Sequence, residues 1–250
     1  MRRALVAAAA AGIFLLASAA GLLRLARSET FQLFGRLVSR VDMPHRVVAL
    51  TFDDGPTEAF VSEIVDVLAS RRVRATFFVI GAHVAEAPDA ARRLVAAGHE
   101  LGNHTYSHPR MVLKSQSFIH SEVERTDDLV RAAGARGEIY FRPPFGWKLV
   151  GLPWYLERTG RTTVTWDVEP DSYPQVAATA EGIASHVVER VRPGSIILLH
   201  VWYSSRATSR AAVPLIVDRL HAKGYRFVTV GELLRIPHAI GTSRLAFPSQ

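Results

Sequence analysis

The chain has 250 residues and 48% hydrophobic content, enough to bury one large core and a better fit to a single α/β domain than to two small ones. Its formal charge is +7, but residues 1–28 hold four arginines and no acid, leaving 26 bases against 23 acids elsewhere; the arginines are dispersed, which argues against a nucleic-acid binder. There is no cysteine, so disulfides, thiolate ligands and a cysteine nucleophile are excluded, and any metal site must use histidine, carboxylate and water.

Residues 4–23 form a stretch of 20 without charge, flanked by Arg2, Arg3, Arg24 and Arg27. As a helix it would span roughly 30 Å, the thickness of a bilayer core. The stretch also reads as a cleaved signal peptide ending near Ala17-Ser18-Ala19, but leucines continue past that point and favour a retained anchor within residues 1–28. On either reading the remainder is exported. Residues 29–45 read as a juxtamembrane linker whose Phe31, Phe34, Leu37, Val38 and Val41 make a weak amphipathic stripe, able to lie on a membrane or to pack on the domain.

From Arg46 onward strand-like and helix-like segments alternate. Strands are predicted at 47–52, 75–80, 99–103, 139–142, 162–166, 195–200 and 226–230. The helices between them are a stripe from Val61 to Leu68, then 84–97, 115–133, 148–159, 177–191 and a stripe from Val213 to Leu220. Such a βα series implies a parallel sheet with right-handed crossovers, and about seven units are enough to close a barrel. The domain is expected over 46–236, with 237–250 as a loop-like tail.

Thr51-Phe52-Asp53-Asp54-Gly55-Pro56 sets two adjacent carboxylates at the end of the first strand. Such a string is ordinary turn chemistry, but neighbouring carboxylates repel and call for a cation between them. Other unusual polar groups share the placement: His104 and His108 follow the third strand, Arg142 the fourth, Asp167, Glu169 and Asp171 the fifth, and His200 the sixth. Strand carboxyl ends converge on one mouth in a barrel or curled sheet, so these groups can meet in one pocket. His104 and His108, four apart, are expected on one face of a helical turn, where with a strand-end carboxylate they supply two nitrogens and an oxygen to a divalent ion. The remaining histidines, His45, His83, His99, His120, His186, His221 and His238, lack such partners and read as structural or solvated.

These motifs resemble, in order, those of the polysaccharide deacetylases of carbohydrate esterase family 4, the group sharing the NodB homology domain. Thr51-Phe52-Asp53-Asp54-Gly55-Pro56 is similar to the first motif, His104-Thr105-Tyr106-Ser107-His108 to the second, Arg142-Pro143-Pro144-Phe145-Gly146 to the third, and Leu198-Leu199-His200 to the last. The resemblance implies a distorted (β/α)7-type barrel in which Asp54, His104 and His108 hold a divalent metal, zinc first, with cobalt, nickel or manganese as alternatives. It implies that Asp53 is the general base, oriented by Arg142, and that a backbone N–H stabilises the oxyanion. Pro143 and Pro144 have no N–H, which leaves Phe145 as the first donor. His200 is suited to protonate the leaving amine. The family commonly has Trp-x-x-Asp-x-x-Asp-Trp where this chain reads Trp166-Asp167-Val168-Glu169-Pro170-Asp171-Ser172-Tyr173, so the acid supporting His200 is Asp171, with Glu169 second. Val201 stands where the family often has Asp; Trp202 and Tyr203 offer stacking surface for a sugar or complete the core. The expected activity is removal of N-acetyl groups from amino-sugar glycans, peptidoglycan or chitin-like; an acetyl-ester or small-amide hydrolase and a non-catalytic glycan-binding membrane protein are the alternatives.

Overall fold

The computed structural model describes residues 2–237, apart from the side chains of residues 2 and 4–11. In chain order the elements are α1 (Arg2–Ala26), β1 (Leu37–Val38), β2 (Val47–Asp53), α2 (Glu58–Ser70), β3 (Thr76–Val79), α3 (Gly81–Glu86), α4 (Pro88–Ala96), β4 (Glu100–Asn103) and α5 (Gln116–Ala132). They continue with α6 (Gly151–Arg158), β5 (Thr163–Val164), α7 (Pro174–Ala177), α8 (Ala180–Arg190), β6 (Ile196–His200), α9 (Ala207–Ala222), β7 (Arg226–Val228) and α10 (Val230–Arg235).

β2 is buried at all seven positions, as expected of a central parallel strand covered on both faces. β3 pairs with its carboxyl-terminal half, β7 with Val47–Ala49 at its start, and β6 runs alongside from Ala49 to Asp53. β4 extends the sheet from β3. Helices α2, α4, α8 and α9 pack one face through Val61, Ile64, Leu94, Val187 and Val213 in a continuous core.

The predicted closed barrel is not formed. The strands divide into a five-stranded sheet and a two-stranded sheet of β1 and β5, linked only by isolated bridges such as Asn103 to Phe141, Phe141 to Thr163 and Val168 to Ile197. The predicted strand at 139–142 shrinks to those bridges because Pro143 and Pro144, which lack N–H donors, stop any ladder beyond Arg142. The predicted helix at 84–97 is likewise two helices: Pro88 starts α4 and pushes Ala87 out of helical geometry, at φ −129° and ψ 62°.

Residues 29–45 pack on the domain, the second of the two expectations for them. β1 pairs with β5, Arg40 bridges Ser195, and Val41 and Met43 are buried in a second core cluster with Ile196 and Leu198. This segment runs from β5 to the start of β6, while farther along the two are joined directly through Val168 and Ile197. Its approach requires Gly194, at φ +79°, since a Cβ there would lie 1.7 Å from the Val41 carbonyl oxygen.

The uncharged stretch lies within α1, where Ile13, Phe14, Leu15 and Leu16 are exposed and Ala26 is buried. Among the described residues no helix is long and apolar enough to cross a membrane. Residues 238–250, which include His238 and nearly all of the expected tail, lie outside the described residues.

Candidate active site

β2 ends on Asp53, and Asp54 follows it at φ +82°, a left-handed backbone that breaks the strand. Gly55 comes next because Trp202 lies against it; a Cβ would come 2.1 Å from the indole. Trp202 is 2% exposed and packs on Phe77 with ring centroids 5.7 Å apart, so it completes the core. The expectation that it offers a face to a sugar is therefore corrected, and only Tyr203, 39% exposed, keeps an accessible ring.

The second histidine motif is a loop, not the expected helical turn: Thr105 and His108 both have positive φ, at 66° and 57°. Side-chain hydrogen bonds take the place of helical ones. Asn103 Oδ1 accepts from the Thr105 N–H, Thr105 Oγ1 accepts from the His108 N–H, and the buried Glu122 of α5 accepts from both the N–H and hydroxyl of Ser107. The loop brings the two imidazole Nε2 atoms to 3.2 Å of one another. Asp54 Oδ1 lies 3.2 Å from His108 Nε2 and 3.7 Å from His104 Nε2.

This geometry fits a cation. His104 Nδ1 lies 2.7 Å from the Arg142 carbonyl, whose only role can be to accept, so the Nδ1 carries the proton and Nε2 presents a lone pair. Burial pushes the His104 imidazole down to about 3 and also lowers His108, so both rings are neutral. Two imidazole nitrogens 3.2 Å apart and a buried Asp54 Oδ1 without a hydrogen-bond partner call for a shared positive charge.

Asp53 stands beside that trio, its Oδ2 3.7 Å from His104 Nε2, and its other oxygen accepts from Arg142 Nη1 at 2.6 Å. Arg142 is fully buried and has every direction filled: it donates to Thr51 Oγ1 and to the carbonyls of Val164 and Thr165, with its guanidinium over the Phe78 ring. Burial pushes Asp53 above the usual carboxylate range, while Arg142 and His200 pull the other way.

Across the groove, His200 Nδ1 lies 3.1 Å from Asp171 Oδ1, and the other Asp171 oxygen accepts from the His200 N–H and the Ser209 hydroxyl. Burial alone would lower His200, but the Asp171 hydrogen bond and charge, joined by Asp53 and Asp54, carry it up to about 9. Of the three acids near the fifth strand, Asp171 is the one on His200. Asp167 is occupied by Ser195 and the Ile196 N–H, and Glu169 lines the groove with Ser172 donating to it at 2.6 Å.

Phe145 is held in a left-handed turn, φ 57° and ψ 14°, with its ring 4.6 Å from that of His108 by centroids. It borders a groove of about 470 Å³ that also takes in Asp53, Asp54, His104 and His200. Sequence reasoning gave no site role to Arg27, Glu29 and Arg206, which line the groove, because nothing in their local pattern marks them. It also missed Lys148, 1% exposed, whose ammonium donates to the Ser28 carbonyl and ties that segment to the Phe145 turn. An isolated lysine six residues after Arg142 carries no signal of its own.

Comparisons with known proteins agree with this arrangement. The family description "Polysaccharide deacetylase" matches residues 40–164. A peptidoglycan-N-acetylglucosamine deacetylase of Bacillus cereus is 32% identical over 82% of this chain and 95% of its own length. A chitooligosaccharide deacetylase of Sinorhizobium fredii is 36% identical over 71% of this chain and 87% of its own. The crystal structure of the Bc1960 peptidoglycan N-acetylglucosamine deacetylase superposes with a TM-score of 0.74 at 30% identity, covering 79% of this chain and 92% of that one. The fold is also that of BA3943 from Bacillus anthracis, described as a CE4 family pseudoenzyme, at a TM-score of 0.72 and 25% identity, so fold alone does not establish turnover. The chain belongs to the polysaccharide deacetylase family.

Proposed function

We propose that this protein is a metal-dependent deacetylase that hydrolyses the N-acetyl groups of amino-sugar glycans of the peptidoglycan or chitin-oligomer type. The observation that carries the reading is the convergence of Asp54, His104 and His108 between a buried Asp53–Arg142 pair on one side and a His200–Asp171 pair on the other. A divalent ion held by Asp54, His104 and His108, zinc in the first instance, would supply Lewis acidity for water and the acetamide carbonyl.

Each remaining step falls to a residue of the chain. Asp53, fixed by Arg142 and raised by burial, takes the proton of the attacking water. The Phe145 N–H, the first donor after the two prolines, is assigned to the developing oxyanion. His200, held protonated by Asp171, gives its proton to the departing amine nitrogen, which cannot leave as an anion. The test is acetate release from N-acetylglucosamine oligomers by the zinc-loaded full chain. Asp53→Asn should abolish release while zinc content stays intact, and undiminished activity in that variant would reject the mechanism.

Export belongs to the same proposal. It rests on the 20 uncharged residues between arginines. Protection of the domain from protease added to intact cells would count against it.

A further inference from the structure

Segment 26–29, which leaves α1, is strapped to the loop that carries Phe145. The Lys148 N–H donates to the Ala26 carbonyl at 2.8 Å, the Lys148 ammonium donates to the Ser28 carbonyl, and Thr165 Oγ1 donates to the Glu29 carbonyl at 2.5 Å. The strap sets the Arg27 guanidinium over the Trp147 ring, its carbon 5.6 Å from the centroid. From the loop after His108, the Arg110 guanidinium approaches the same indole at 5.5 Å and the Phe145 ring at 5.6 Å.

Two guanidiniums thus converge on one indole at the rim of the groove, at most about 11 Å apart by these two radii. Among the described residues no ion pair or side-chain hydrogen bond reaches either of them, while most other arginines around the groove are committed: Arg142 to Asp53 and Arg206 to the Asp171 carbonyl. The acid found to interact with Arg27 is Glu29, whose carboxyl is raised by burial and by Glu169, and it forms no ion pair with Arg27. Aromatic contact retains these cations without neutralising them, and like charges held within about a Debye length raise the local potential for an anion. The His108 ring, the Phe145 ring and the Arg110 guanidinium follow one another at 4.6 and 5.6 Å, so this charge lies no more than about 10 Å from the His108 ring.

We propose that Arg27 and Arg110, mounted on Trp147, form a subsite for a carboxylate carried on the glycan beside the acetamide that is cleaved. The glycan part rests on the deacetylase reading; the carboxylate part does not. A planar guanidinium fork matches a carboxylate, and a neutral chitin-like oligomer has nothing to offer it. The substrate class favoured is therefore an acid-bearing amino sugar, as in the lactyl-substituted sugar of a peptidoglycan strand freed of its stem peptide, over an uncharged oligomer.

The experiment is titration calorimetry of the zinc-loaded full chain with the disaccharide N-acetylglucosaminyl-N-acetylmuramic acid and with its methyl ester, which keeps the shape and removes the charge. The acid should bind about tenfold more tightly than the ester at low ionic strength, the ratio should fall in salt, and in the double variant Arg27→Gln, Arg110→Gln it should approach one. Equal affinities for acid and ester in the parent, a preference that survives in the double variant, or no measurable binding of the acid would overturn the subsite. A preserved preference without acetate release from either probe would instead remove the deacetylase reading and leave the subsite standing.

Discussion

Replacing Asp171 by Asn tests the proton donor directly, because it removes a charge and keeps the shape. In the parent, His200 is carried up to about 9 against burial that would place it below its ordinary 6.5. Asparagine can still accept a hydrogen bond from Nδ1, but it no longer offers the negative charge that favours the imidazolium. His200 should then fall to its ordinary value or below, a loss of roughly 3 kcal/mol at about 1.4 kcal/mol for each tenfold change in proton affinity. At pH 7.5 the imidazole would pass from almost wholly protonated to under about a tenth protonated. The kcat for acetate release should fall at least tenfold at that pH and recover in part toward pH 6, with the alkaline limb of the profile moved down by about two pH units. Parent and variant are to be compared with the same metal, whose charge lowers both limbs alike. The sign for stability is parallel: a folded value above the unfolded one stabilises fully below about 6.5, and that contribution is lost as pH rises through about 9. An alkaline limb that stays where the parent has it would refute the assignment of His200 as a donor held by Asp171.

Three further outcomes are expected. Arg142→Met should destabilise the fold by about 3–5 kcal/mol in urea titrations, since it strands a buried carboxylate; Arg142→Lys should recover only part of this, because one ammonium cannot serve Thr51, Asp53 and two carbonyls together. Gly55→Ala forces a Cβ to within 2.1 Å of the Trp202 indole and should lower the thermal midpoint, at a cost of about 1–3 kcal/mol or more, with partial rescue by Trp202→Leu. Zinc at about a hundred times its dissociation constant should raise stability by ~2.7 kcal/mol, and His104→Ala should remove most of that gain in scanning calorimetry.

The site was more legible than the frame around it. Asp53, Asp54, His104, His108 and His200 all sit at strand ends in the sequence pattern, and the fold draws them to one mouth, with Arg142 buried behind Asp53. His104 and His108 do come together, as their spacing and the strand-end carboxylate suggested, although the loop that presents them is held by Asn103, Thr105 and Glu122, none of which a four-residue interval reveals. Ring closure was overestimated because the βα count says nothing about strand length, and β5 is only two residues long. The inward docking of 29–45 was undecided for a comparable reason: a weak apolar stripe is the same whether it meets lipid or Ile196. Trp202 was misjudged in part because its burial depends on Gly55, almost 150 positions away.

The Lys148 clamp has a consequence for how this enzyme can be handled. Its ammonium is bound by carbonyls on both sides, Ser28 and Gly146, so the stretch just after α1 behaves as an inserted wedge and not as a leash. A shortened chain starting at residue 30 would delete that wedge and leave a buried lysine with half its acceptors. Ala26 closes α1 and is bonded to the loop that carries Phe145, so any reorientation of α1 would be transmitted to the turn at the edge of the groove.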